Sequence, residues 1–280
     1  MYKKILAAVN EHINSEVAAR YALRLAKQLE AELFFCFVAE ESMPQHTRCT
    51  AEDAVNRLYT EALDLNIRAE RISILGDPVA EIGKIVRHEK IGLVFAATRR
   101  EDIERRFYSG TVARSLSLKL PCSVALVRVV HMGKIHPSKI LVPLKARVNK
   151  VKERAYFTAK MAEAFGGKII VFHATKPITR FFHGEIHLTP VEWEKRLPKD
   201  ISDFNAYIRK SDIELEGLLL PGHTSKGITI EAAAKRHDLI IMGASERPLF
   251  TFVLKGSPVE AVLRETPCDL IILNPRHEDK

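Results

Sequence analysis

The chain has 280 residues and a formal net charge of +8, with 46% hydrophobic and 28% charged side chains. That balance excludes an intrinsically disordered chain and is the composition of a soluble globular protein. No apolar run approaches the roughly 20 residues of a membrane span, and residues 1–9, which carry Lys3 and Lys4, hold too short an apolar stretch for a signal peptide.

The expected compartment is therefore the cytosol, with no membrane partner. Excess positive charge attracts anions, but the basic residues are scattered. The one dense group, Arg99, Arg100, Arg105 and Arg106, is interleaved with Glu101, Asp102 and Glu104 and reads as a solvated face. No basic surface with interleaved aromatics is present, so no nucleic-acid partner is expected. Cys36, Cys49, Cys122 and Cys268 have no metal-like spacing; they read as free thiols, mostly small buried hydrophobes.

In chain order, residues 5–9 form a short continuous apolar run, the mark of a strand buried on both faces. From 15 to 29 the apolar positions Val17, Ala18, Tyr21, Ala22, Leu25, Ala26 and Leu29 recur at helical spacing. Residues 33–38 read as a second strand. Thr50, followed by Ala51, Glu52 and Asp53, reads as a capped helix start. Strand-like runs at 72–75, 93–96 and 123–129 and a helical stretch at 79–88 complete the series. Strands alternating with helices predict an α/β fold with a parallel sheet covered on both faces.

The series then restarts: 140–144 echoes the first strand, 151–165 the first helix and 169–172 the second strand. Late in each unit the match is residue by residue at a constant offset of 146, pairing Gly76 with Gly222, Leu93 with Leu239, Gly110 with Gly256, and Pro121 and Cys122 with Pro267 and Cys268. The expected organisation is a first domain at 1–131, a linker at 132–138 and a second domain at 139–280, with an insertion at about 176–205. Within the insertion, Thr189, Pro190, Val191 and Glu192 form a helix-start box before Trp193.

Ligands of open parallel sheets bind outside the carboxyl ends of the strands, where the winding direction switches. In the second copy that place includes the end of strand 238–243, then Ala244, Arg247, Lys255 and the helix start at Gly256, Ser257 and Pro258. A glycine lets phosphate approach the backbone, free first-turn N–H groups attract it, and Ser257 and Lys255 add a hydroxyl and a charge. Neither a Walker-type phosphate loop nor a G-x-G-x-x-G fingerprint is present.

The opening strand type, the segment Asp238 to Gly243 and the strand-Gly-x-x-Gly-x9-Gly-Ser layout resemble the universal stress protein family over nearly the whole chain, twice. The resemblance implies two tandem Rossmann-like (adenine nucleotide alpha hydrolase-like) domains, each a five-stranded parallel sheet with helices on both faces. It implies ATP or AMP binding in some members, with no metal required beyond Mg that accompanies ATP. It also implies pairing through the fifth strands, here within one chain through 123–129 and 269–273, and homodimers as a further partner class.

Two departures rank the copies. In the second, Gly243, Gly256 and Ser257 fit the family's binding motif, but Glu246 replaces its middle glycine. In the first, only Gly110 and Thr111 remain, since Ala97 and Arg100 replace both earlier glycines. Where binders carry an aspartate after the first strand, this chain has Asn10 and Lys145. The expected nucleotide contacts are Leu144, Lys145, His173, Gly243, Ala244, Arg247, Lys255, Gly256, Ser257 and Pro258 in the favoured second copy, and Val9, Asn10, Gly110 and Thr111 in the first.

His183, Glu185 and His187 would share one face of an extended segment but lack a fourth ligand, so no metal site is expected. Asp77 and His223, equivalent residues after Gly76 and Gly222, read as turn residues. No acid–base pair or nucleophile–histidine arrangement stands out, and slow ATP hydrolysis has no base to recommend it. The sequence thus predicts a non-catalytic, nucleotide-responsive stress or signalling module. The alternative is an adaptor whose clefts bind no nucleotide and whose partners are other proteins.

Overall fold

The computed structural model describes residues 1–98, 111–133, 135–175, 197–221, 224–244 and 258–276. Contacts divide the chain into two units: residues up to His136 together with the strand from Asp269, and residues Pro137–Cys268.

In the first unit, strands β1 (Lys4–Ala8), β2 (Glu32–Ala39), β3 (Ala69–Leu75), β4 (Leu93–Thr98) and β5 (Ser123–Arg128) run parallel in the order β3-β2-β1-β4-β5. The order reverses at β1, which makes its carboxyl end the switch point. Helices α1 (Ile13–Leu29), α2 (Gln45–Asp64), α3 (Pro78–Glu89) and α4 (Val112–Lys119) connect them. Ile5, Leu6 and Ala7 in β1 and Leu33, Phe34 and Phe35 in β2 are buried, as expected of strands covered on both faces.

Local chemistry sets the helix ends. Asp77 accepts from Ala80 N at 2.7 Å and caps α3, with Pro78 at its first position. The start of α2 differs from the expectation: Pro44 precedes its first turn, and Thr50 lies inside the helix, donating to His46 O at 2.9 Å. A threonine hydroxyl bonds back one turn as readily as it caps, so the residue type alone did not decide the position.

A final strand, β10 (Asp269–Asn274), lies antiparallel beside β5, with Leu270 opposite Arg128 and Asn274 opposite Val124. This is the pairing of 123–129 with 269–273 that the resemblance implied. It also puts β10 in the first unit by contact, although the repeat counts it with the second. The strand is tied at both ends. Asp269 accepts from Tyr21 Oη at 2.8 Å and from Val130 N and His131 N at 2.7 and 3.0 Å, and Asn274 Nδ2 donates to Ser117 O at 2.6 Å.

The second unit repeats the pattern. Strands β6 (Lys139–Leu144), β7 (Lys168–Thr175), β8 (Leu215–Pro221) and β9 (Leu239–Gly243) are parallel in the order β9-β6-β7-β8, so the switch point is the end of β6. Its helices are α5 (Val151–Phe165), α6 (Lys199–Ile208), α7 (Thr224–Ala234) and α8 (Pro258–Glu265). The α6 helix begins inside the expected insertion, at the place that α2 holds in the first unit; the helix start at Thr189 to Glu192, with Trp193, lies outside the described residues. Among the described residues, no helix is long and apolar enough to cross a membrane.

Candidate functional site

In the first unit a cleft of about 440 Å³ opens at the switch point. Val9 and Asn10 leave β1, Phe37 and Val38 end β2, Ala97 ends β4, and Thr111 precedes α4; all six line the cleft. Val9 N donates to Cys36 O at 2.8 Å, fixing the floor where β1 gives way to loop. Asn10 Oδ1 accepts from His12 N at 3.0 Å, and Asn10 N donates to Ser15 Oγ at 3.0 Å, an Asx-type turn that leads into α1. Thr111 accepts from Arg114 N at 3.3 Å, so its hydroxyl caps α4 and holds that helix's positive end at the cleft.

The charged side chains lining the cleft are Glu11, His12 and Glu40, with His12 Nε2 paired to Glu11 Oε1 at 3.0 Å. Cys36 also lines it, but burial pushes its thiol pKa up to about 12, which keeps it protonated and unreactive. Val9, Asn10 and Thr111 are thus brought together; Gly110 lies outside the described residues, as do Arg99 and Arg100.

The second unit is arranged differently. His173, buried at the end of β7, has Nδ1 2.9 Å from Leu144 O. A carbonyl only accepts, so Nδ1 carries the proton and the ring is tied to β6. Lys145 is exposed. At the end of β9, the guanidinium of Arg154, from α5, lies against Gly243: a Cβ at that glycine would overlap Arg154 Nη1 and Cζ. Arg154 Nη2 also donates to Ala244 O at 3.3 Å.

Arg154 is the residue the sequence reasoning missed. Its signal was present but indirect. Both first helices end in left-handed caps, Glu30 and Gly166, and counting back twelve residues from each reaches Ala18 in the first copy and Arg154 in the second. Pro258 begins α8; Arg247, Lys255, Gly256 and Ser257 lie outside the described residues, as do His183, Glu185, His187 and His223. Among the described residues, no group of three or more His, Cys, Asp and Glu side chains is placed to hold a metal ion.

Two parallel switch-point units with a cleft at a carboxyl strand end define a class of Rossmann-like tandem proteins. The sequence model of the universal stress protein family matches residues 1–128 and 138–274, and the chain belongs to that family. Among solved structures it is similar to a universal stress protein from Archaeoglobus fulgidus DSM 4304, at 19% identity and a TM-score of 0.65, covering 99% of this chain and 97% of that one. It is also similar to a functionally unknown protein from Pseudomonas aeruginosa PAO1, at 18% identity and a TM-score of 0.64, covering 98% and 93%. The cytoplasmic domain of a prokaryotic cation chloride cotransporter matches at 11% identity and a TM-score of 0.63, covering 100% and 98%. At these identities the likeness is one of fold. No curated protein matches the chain.

Proposed function

We propose that this universal stress protein is a non-catalytic stress or signalling module that responds to an adenine nucleotide, ATP or AMP. The observation that carries the reading is the first unit's cleft at the switch point, whose volume of about 440 Å³ lies within the roughly 300–1,000 Å³ of small-molecule sites. In this reading, Val9 and Asn10 face the base and ribose, and Glu11 and Glu40 accept from ribose hydroxyls. The phosphate lies toward Thr111 and the start of α4, where free N–H groups and the helix dipole favour negative charge.

Sequence spacing favoured the second copy through Leu144, Lys145, His173, Gly243, Ala244, Arg247, Lys255, Gly256, Ser257 and Pro258. Of these, His173 is bonded to Leu144 O and Gly243 is covered by Arg154. The reading assigns the nucleotide to the first copy, whose cleft the described residues outline. Family membership supports the stress-response role, and the cytosol remains the proposed compartment.

Equilibrium dialysis with AMP and with ATP at millimolar concentration tests the reading, with and without Mg. Saturable binding that Ala97→Trp abolishes is expected, since an indole there fills the cleft. Failure of both nucleotides to bind would reject the reading and leave the adaptor, acting through protein partners.

A further inference from the structure

Asn10 leaves β1 at the first unit's switch point and lines the cleft there. Its side chain is oriented by the chain around it. The Oδ1 atom accepts from His12 N at 3.0 Å, and an N–H needs an acceptor, so the amide cannot be turned end for end. The Asn10 N–H donates to Ser15 Oγ at 3.0 Å, and that hydroxyl donates to His12 O at 2.8 Å, which braces the turn from a second side. What remains is Nδ2, which has no hydrogen-bond partner among the described residues.

An asparagine whose oxygen is spent in this way offers the cleft only N–H donors. The neighbouring Glu11 and Glu40 are opposite in kind, since carboxylates only accept. The lining therefore sorts the atoms of a ligand. Ribose hydroxyls can donate and suit the carboxylates, whereas an atom with a lone pair and no hydrogen suits the amide. Phosphate oxygens also accept, but the Glu11 carboxylate, next in the chain, disfavours their charge at this place. In an adenine nucleotide the atoms that fit are the ring nitrogens N1, N3 and N7.

We propose that Asn10 is a specificity-determining residue of the first cleft, donating from Nδ2 to a ring nitrogen of the purine base, a role that rests on the nucleotide reading above. An aspartate in its place could keep the turn, with one oxygen toward His12 N. Its second oxygen would meet the ring nitrogen lone pair to lone pair. Asn10→Asp thus separates recognition of the base from support of the turn.

Isothermal titration of the full chain with AMP and with its 1-deaza, 3-deaza and 7-deaza analogues, each with one ring nitrogen replaced by C–H, tests this. In the wild type one analogue is expected to bind about tenfold more weakly than AMP, the loss of one hydrogen bond. Asn10→Ala should weaken AMP by a similar factor and leave that analogue's affinity at the wild-type value. N10D should weaken AMP by about tenfold or more. The analogues probe the wild type itself, so the outcome is decided even if N10A melts below the assay temperature. AMP bound by N10D as tightly as by the wild type would overturn the inference and leave the nucleotide reading intact. So would all three analogues bound by the wild type as tightly as AMP, or a weakened analogue that loses further affinity in N10A. No AMP bound by the wild type would overturn both.

Discussion

Tyr21 Oη donates to Asp269 Oδ2 at 2.8 Å across 248 residues of sequence, and both side chains are buried. The other carboxylate oxygen accepts from Val130 N and His131 N, so one side chain joins α1, the segment after β5 and the start of β10. A buried carboxylate is tolerated when its lone pairs are satisfied in this way.

Asp269→Ala removes the acceptor for three donors at once and is expected to cost about 3 kcal/mol or more. Tyr21→Phe removes one donor and leaves the carboxylate its two backbone partners, so about 1.5 kcal/mol is expected. Urea denaturation of the two variants checks the order, and equal losses would mean that Asp269 does not act as the shared acceptor.

Gly243→Ala makes the Arg154 guanidinium, the far end of a flexible side chain, move aside, and is expected to cost the wild type no more than about 1 kcal/mol. In an Arg154→Ala background the same change should be nearly neutral. The coupling in this double-mutant cycle measures the contact; two additive losses would place the cost of the new Cβ elsewhere.

His237 is buried, with Nε2 3.7 Å from Glu231 Oε1. Burial pushes its pKa below the ordinary 6.5; Lys139 acts in the same direction, while Glu231 and Asp238 oppose. A histidine with a depressed folded pKa binds protons more readily when unfolded. Its contribution to stability is thus fully present above 6.5 and is lost as pH falls below that value. Melting should therefore occur at lower temperature at about pH 5.5 than at about pH 7.5, and His237→Phe should reduce the difference. An unchanged difference in the variant would remove His237 from the acid response.

Among the four cysteines, Cys49 is exposed and the other three are buried, with the Cys36 thiol raised to about 12. A thiol reagent near neutral pH should modify Cys49 in the native protein and the others only on unfolding. Native labelling of Cys36 would show that solvent reaches the cleft floor more freely than its burial implies.

Much of the architecture was legible because it is written in local patterns. The apolar runs of β1, β2 and β6 and the periodicity of α1 and α5 gave the elements, and the constant spacing from Gly76 to Cys122 gave the repeat. What was less legible depended on distant partners. Thr50 reads equally well as a cap or as an interior residue, and Pro44, six residues ahead of it, stands at the true start of α2. The place of β10 by contact depends on Asp269 meeting Tyr21, which no spacing reveals. At the site, motif spacing ranked the copies by their glycines; the reach of Arg154 from a helix, against Ala18 in its counterpart, is a property of the fold.

The most direct test of the central claim is an amide NMR titration with AMP, which reports each copy separately. Shifts concentrated at Val9, Asn10 and Thr111, saturating together, are expected, with Leu144, Lys145 and Ala244 unmoved. Shifts confined to Leu144, Lys145 and Ala244, or none at saturating AMP, would contradict a nucleotide site in the first copy.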